Sequence, residues 1–154
     1  MIVVECDLDF YFVQSLEIPA TSIRHESGKG RVINSLRKGF GTLGMVDEDP
    51  TSTQPKDLRN YVQIDNNEDL RLMRRQDSEN IKLIIIPNYI EAWILSRSQK
   101  HNVDITTYGL PTDPVQLHDI PHVERIQNFK QFLHRLQAID PIFDVLKEWL
   151  LQGL

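Results

Sequence analysis

The chain of 154 residues carries a net charge of −5 and one cysteine, with 40% apolar and 25% charged residues. It is long enough to bury one sizeable core and reads as a single domain; its charge leaves no broad basic surface for nonspecific binding to duplex nucleic acid, although a local basic groove stays open. Cys6 alone excludes a disulfide framework and a cysteine-rich zinc site, and with no membrane-length apolar run and no signal-peptide pattern a cytoplasmic protein without a membrane partner is expected.

Ile2-Val3-Val4 is short, β-branched and continuously apolar, as a central strand buried on both faces requires. Phe10, Phe12, Val13 and Leu16 follow at helical spacing up to a stop at Pro19, and Ser22-Ile23-Arg24-His25 offers a short second strand. Gly28-Lys29-Gly30 opens a second helix with the stripe Val32, Ile33 and Leu36, stopped by Gly39 and Gly41. Leu43-Gly44-Met45-Val46 is a third strand, cut off by Asp47-Glu48-Asp49-Pro50. From Thr51 to about Asn80 the chain is polar, and Leu70, Leu72 and Met73 read as a short helix or as a flap over the acidic strand ends. Lys82 to Ile86 is the clearest strand, and Pro87-Asn88 begins a helix carrying Tyr89, Ile90, Trp93, Ile94 and Leu95. Gly109 to Pro121 reads as a Pro-rich loop. Two helices follow, one from about His122 to Ala138 and one with Asp140 as N-cap and Pro141 at its first position. The alternation predicts βαβ units. It makes an α/β fold with a mostly parallel central sheet flanked by helices, a core over about residues 1–100 and a two-helix C-terminal extension over about 111–154.

In such sheets ligands bind beyond the carboxyl ends of the strands, and acids recur there. Glu5, Asp7 and Asp9 follow the first strand, Asp47, Glu48 and Asp49 the third, and Glu91 lies one helical turn beyond the last. Converging carboxylates raise one another's pKa unless a cation neutralises them, and oxygen ligands without Cys or clustered His select Mg²⁺ or Mn²⁺. The chemistry natural to such a site is phosphoryl transfer or phosphodiester cleavage. Each feature also has a plainer reading. Asn88 and Glu91 fit a capping box, and Asp7 and Asp9 fit a helix dipole. Asp47 to Pro50 fits a solvated turn, and Gly28-Lys29-Gly30 fits a simple turn into a helix. The histidines show no ligand spacing and read as surface residues; Arg71, Arg74 and Arg75 read as a solvated face or as a guide for a phosphate substrate.

A strand ending in Glu5, a helix opened by Gly28-Lys29-Gly30, a strand ending in Asp47-Glu48-Asp49 and a Pro87-led segment with Glu91-Ala92-Trp93 together resemble the Toprim-like domains, which include small stand-alone proteins and nuclease modules of prokaryotes. The resemblance covers roughly the first hundred residues and implies a Toprim/Rossmann-like fold. It also implies roles: Glu5, Asp47 and Asp49 as ligands of Mg²⁺ or Mn²⁺, Glu5 also as general acid or base, Glu91 as an additional catalytic acid, and Lys29 near a phosphate, with Asp9 and Glu48 as further acids. The implied activity is metal-assisted hydrolysis of nucleic acid or another phosphodiester. Cys6 stands where the pattern usually has Gly, and no Gly closely follows Asp49; with the acidic net charge, these departures favour the alternative of a non-catalytic binding or regulatory module. Such a module would work through a protein partner or homodimer contact on the last two helices, whose apolar residues, among them Phe129, Leu133, Phe143 and Leu146, otherwise cover a sheet face. Asp7-Leu8-Asp9-Phe10 also resembles the opening metal motif of translesion polymerases and the nucleophile motif of haloacid-dehalogenase-type phosphatases. The chain lacks the polymerase's Tyr-x-x-Arg element and length, and has Phe10 where the phosphatase pattern places a small residue or Thr.

Overall fold

A computed structural model describes residues 1–154. The strands are β1 (Ile2–Val4), β2 (Ile23–His25), β3 (Leu43–Asp47), β4 (Tyr61–Asn67), β5 (Leu70–Arg75) and β6 (Lys82–Ile86), and they form one sheet in the order β2-β1-β3-β6-β5-β4. β2, β1, β3 and β6 run parallel, and the β4–β5 hairpin joins antiparallel along β6. The helices are α1 (Asp7–Ser15), α2 (Lys29–Arg37), α3 (Ile90–Lys100), α4 (Pro114–His118), α5 (Gln127–Ile139) and α6 (Ile142–Leu151). This is the α/β, Rossmann-like architecture that the alternation predicts, and no helix is long and apolar enough to cross a membrane.

The period of two along each strand sorts its side chains onto two unequal cores. Ile2, Val4, Met45, Ile84 and Ile86 face the larger one, where Phe12 of α1, Trp93 of α3 and Phe143 of α6 pack ring against ring at centroid distances of 5.6–6.1 Å. Val3, Val46, Leu83 and Ile85 face the smaller core, covered by Val32, Ile33 and Leu36 of α2. Val123, Phe129, Leu133, Leu136, Phe143, Leu146, Trp149 and Leu150 are all buried in the larger core, so the apolar stripes of α5 and α6 cover a sheet face within the chain. The C-terminal helices are thus part of the main core rather than an appendage. Gly153 is wedged against β1 and β3: a Cβ there would meet Leu43 Cβ at 2.8 Å and Ile2 Cγ1 at 2.9 Å, while its carbonyl accepts a bond from the Met1 amino group. Both neighbours are anchored close to the backbone, so Gly153→Ala should lower stability by about 1–3 kcal/mol in a urea titration.

Four local expectations are corrected. Leu70, Leu72 and Met73 lie in strand β5, not in a helix or flap, and Leu70 and Leu72 face the larger core at alternate positions. Helix α3 starts at Ile90 rather than at Pro87-Asn88, because Asn88 takes a left-handed conformation with φ 61°. The reading from His122 to Ala138 breaks at Ile126: a 3-10 turn at Val123–Arg125 precedes α5, and α6 begins at Ile142 with Asp140 Oδ1 accepting its amide proton at 3.0 Å. The Pro-rich loop contains α4, capped by Asp113, whose carboxylate accepts from the amides of Val115 and Gln116.

Candidate functional site

The chain passes from β1 over α1 to β2 on one face, then returns over α2 to β3 on the other. The strand order therefore reverses between β1 and β3, and their carboxyl ends open into the crevice where ligands of such sheets bind. Glu5 and Asp47 meet there: Glu5 Oε1 accepts the Asp47 backbone amide at 2.8 Å.

Cys6 caps α1, its Sγ accepting the Asp9 amide at 3.4 Å, which places Asp9 in the first turn with its side chain turned inward. Asp9 is 2% exposed, and its Oδ2 accepts the Glu5 amide at 3.3 Å. Asp9 thus stands in the first turn of α1, as the dipole reading has it, and is the most deeply buried acid of the group. Glu91 is buried at the start of α3, where its Oε1 lies 2.9 Å from His118 Nδ1 of α4. The capping box does not form; Tyr89 is the N-cap and supplies no side-chain bond.

Glu5, Asp9, Asp47 and Glu91 thus share one electrostatic environment. Burial pushes the Asp47 carboxyl well up, reinforced by the charges of Asp9, Glu5 and Glu91 and only partly offset by the Ile90 amide at the start of α3. Burial likewise raises Asp9, with the Glu5 charge adding to it. Glu5 is raised mainly by burial, against the pull of the Asp47 amide and of Lys29. The chain holds three buried side-chain polar atoms without a hydrogen-bond partner, and two of them are Asp9 Oδ1 and Asp47 Oδ1. Buried polar atoms are normally satisfied, and either a bound proton or a nearby cation would relieve these two acids.

The residues present suit a hard divalent cation in donor chemistry, while no three of Glu5, Asp9, Asp47 and Glu91 bring ligand atoms within 4.8 Å of one another. The donors are carboxylate oxygens, as Mg²⁺ and Mn²⁺ prefer, and Mg²⁺ is commonly held by one or two carboxylates with its remaining positions hydrated. Asp49 and Glu48 hold other partners. Asp49 takes φ 38°, its carboxylate accepts the Thr51 hydroxyl, and its amide donates to Asn88 O at 2.6 Å. The two loops beyond β3 and β6 are therefore tied together through Asp49 and Asn88, both residue types that tolerate positive φ, and the turn is made without the glycine of the Toprim pattern. Glu48 pairs with Arg71 at 2.9 Å. Lys29 Nζ donates to Glu48 O at 2.7 Å and Gln54 Oε1 at 3.0 Å, and lines a cavity of about 370 Å³ that it shares with Asp47 and Arg71.

The arginine run is not a uniform solvated face: Arg75 is clamped by Asp57 and Asp77. The histidines also hold partners that their spacing hid. His118 meets Glu91, His101 Nε2 lies 3.2 Å from Asp140 Oδ1, and His122 Nδ1 lies 3.2 Å from Glu124 Oε1. Asp7, His122 and Glu124 bring ligand atoms within 4.8 Å of one another, with Asp7 and His122 exposed. Phe12, Val13 and Leu16 follow Asp9 at the +3, +4 and +7 spacing of a buried stripe, which signals its helix face but not its unpartnered oxygen. No family model, curated protein or solved structure matches the chain, so this site stands on its own geometry.

Proposed function

We propose that the chain is a Toprim-like, Mg²⁺- or Mn²⁺-dependent phosphodiesterase of nuclease type that acts on nucleic acid. The observation that carries this reading is the pair of unpartnered, buried carboxylate oxygens of Asp9 and Asp47 at the β1–β3 switch point. A divalent cation bound there would supply the positive charge that polarises a phosphoryl group. Asp47 and Asp9 would hold it, with Glu5, whose carboxylate accepts the Asp47 amide, and Asp49 as further acids. Glu91, held by His118 at 2.9 Å, would take a proton from the attacking water as its oxygen bonds to phosphorus and the P–O bond to the leaving group breaks, and the departing alkoxide would take a proton from solvent. Lys29 has two of its three N–H donors engaged, and the third is free for a phosphate oxygen.

The test is cleavage of labelled single-stranded oligonucleotides and of bis(p-nitrophenyl) phosphate with Mg²⁺, Mn²⁺ or EDTA. Wild type should cleave only with the ion, and Asp47→Asn should lose at least roughly a hundredfold in rate, since even residues that merely support a ligand can cost that much. Wild-type rates in Asp47→Asn, or cleavage undiminished by EDTA, would overturn the proposal.

A further inference from the structure

We propose that the cleft between α2 and the segment 54–60 binds the phosphodiester backbone of a nucleic-acid strand and leads it toward the carboxylates at β1 and β3. The destination of the strand rests on the function proposed above, whereas binding in the cleft requires no ion. The cleft is an open hollow of about 320 Å³ lined by Arg37, Lys56 and Arg59. None of these three forms an ion pair; Arg37 bonds only to the Asn34 side chain. The single acid in the lining, Asp57, is already engaged by Arg75 at 2.9 Å and by Asn60 at 2.6 Å. Three uncompensated cations thus gather in one hollow of a chain whose net charge is −5.

The lining also decides the kind of ligand. Ile33 and Pro55 are its apolar side chains and six of its nine residues are charged or carry a carboxamide, whereas pockets for small organic ligands are mostly apolar with a few placed polar groups. A polar, positive, open groove suits a phosphate backbone, which is bound by cations and read without regard to base. The cleft adjoins the cavity at Asp47 through neighbouring residues. Gly30 and Pro55 line it, while their chain neighbours Lys29 and Gln54 line the cavity that reaches Asp47. A strand laid along α2 therefore passes Lys29 before it meets the buried acids.

The experiment is fluorescence anisotropy of labelled single-stranded DNA and RNA in EDTA over a salt series. Wild type should bind at least one of the two with an affinity that falls as salt rises. Arg37→Ala/Lys56→Ala/Arg59→Ala should weaken binding by at least about tenfold and reduce the slope of log K against log salt by about 2, at roughly 0.7 per phosphate contact on a single strand. A charge-matched variant on the opposite side, Lys130→Ala/Arg135→Ala/Lys147→Ala, should stay close to wild type. No binding by wild type, wild-type binding by the first variant, or equal losses in both variants would overturn the cleft. All three cleft cations are exposed, so the first variant should fold, and a Mn²⁺ titration of it reports on the carboxylates separately. Retained ion binding with lost oligonucleotide affinity isolates the cleft. Absent ion binding in wild type would instead sink the carboxylate site while the anisotropy result stands.

Discussion

Replacing Asp47 by Asn should raise the melting temperature of the ion-free protein at neutral pH by about 5 to 15 °C, even as it removes the response to divalent ions. Burial and three neighbouring acids raise the Asp47 carboxyl far above the ordinary value. In the unfolded chain it ionises near pH 4, so folding at pH 7 must return a proton to it, at about 1.4 kcal/mol per pH unit. Asn requires no proton and offers N–H donors to the surrounding carboxylates, for a gain of about 2–4 kcal/mol, or about 2–4 °C per kcal/mol in a domain of this size. The pH dependence carries the same sign. A group whose folded pKa is raised stabilises the fold fully below its unfolded pKa and loses that contribution as pH rises toward the folded one. Ion-free wild type should therefore weaken progressively from about pH 4 upward through neutrality, and Asp47→Asn should flatten much of that slope. Melting curves in EDTA across this range decide the matter; an Asn variant no more stable than wild type would mean that Asp47 is not under electrostatic stress.

Arg97→Met should lower stability by about 3–5 kcal/mol, among the largest single-residue losses in the chain. Arg97 is 6% exposed on α3, and its Nε and Nη2 grip both oxygens of Asp140 at 2.5 and 2.7 Å. It also pairs with Glu68 at the tip of the β4–β5 hairpin, so one guanidinium ties together the hairpin, α3 and the α5–α6 junction. Burial alone would push Asp140 up, but the Arg97 bonds, the Ile142 amide and the charges of Arg97 and His101 outweigh it and hold the carboxyl low. Met fills the volume of Arg but strands a buried carboxylate. Arg97→Met/Asp140→Asn should recover much of the loss, since the neutral amide oxygen can still accept the Ile142 proton. Urea denaturation of the two variants and wild type measures both effects, and a double variant as weak as the single one would show that packing rather than charge sets the loss.

What the sequence reveals here follows burial. β1, β3 and β6 are covered on both faces, so their residues are apolar without interruption and stand out from the helical periods around them. β4 is an edge strand with a register shift between Gln63 and Asp65, and most of its residues face water. Its alternation is too weak to announce a strand, and so the hairpin is not legible in the sequence. The acids of the site were visible one by one, because residues at strand ends can be named once the strands are known. Their ranking was not. Asp9 and Asp49 are both acids near strand ends, yet one is buried without a full set of partners and the other borders solvent. That difference comes from the Cys6 cap and from the left-handed turns at Asp49 and Asn88, which depend on how two distant loops bond to each other. His118 reaches Glu91 only through the fold of α4.

The most direct test of the central claim is calorimetric titration of the ion-free protein with Mn²⁺, repeated in buffers of different ionisation enthalpy. One ion should bind per chain and release protons, because carboxyls held protonated by burial must ionise to ligate it; Asp47→Asn should abolish both the heat and the release. No binding at millimolar Mn²⁺, or binding with the same stoichiometry in Asp47→Asn, would contradict a divalent-cation site at the β1–β3 crevice.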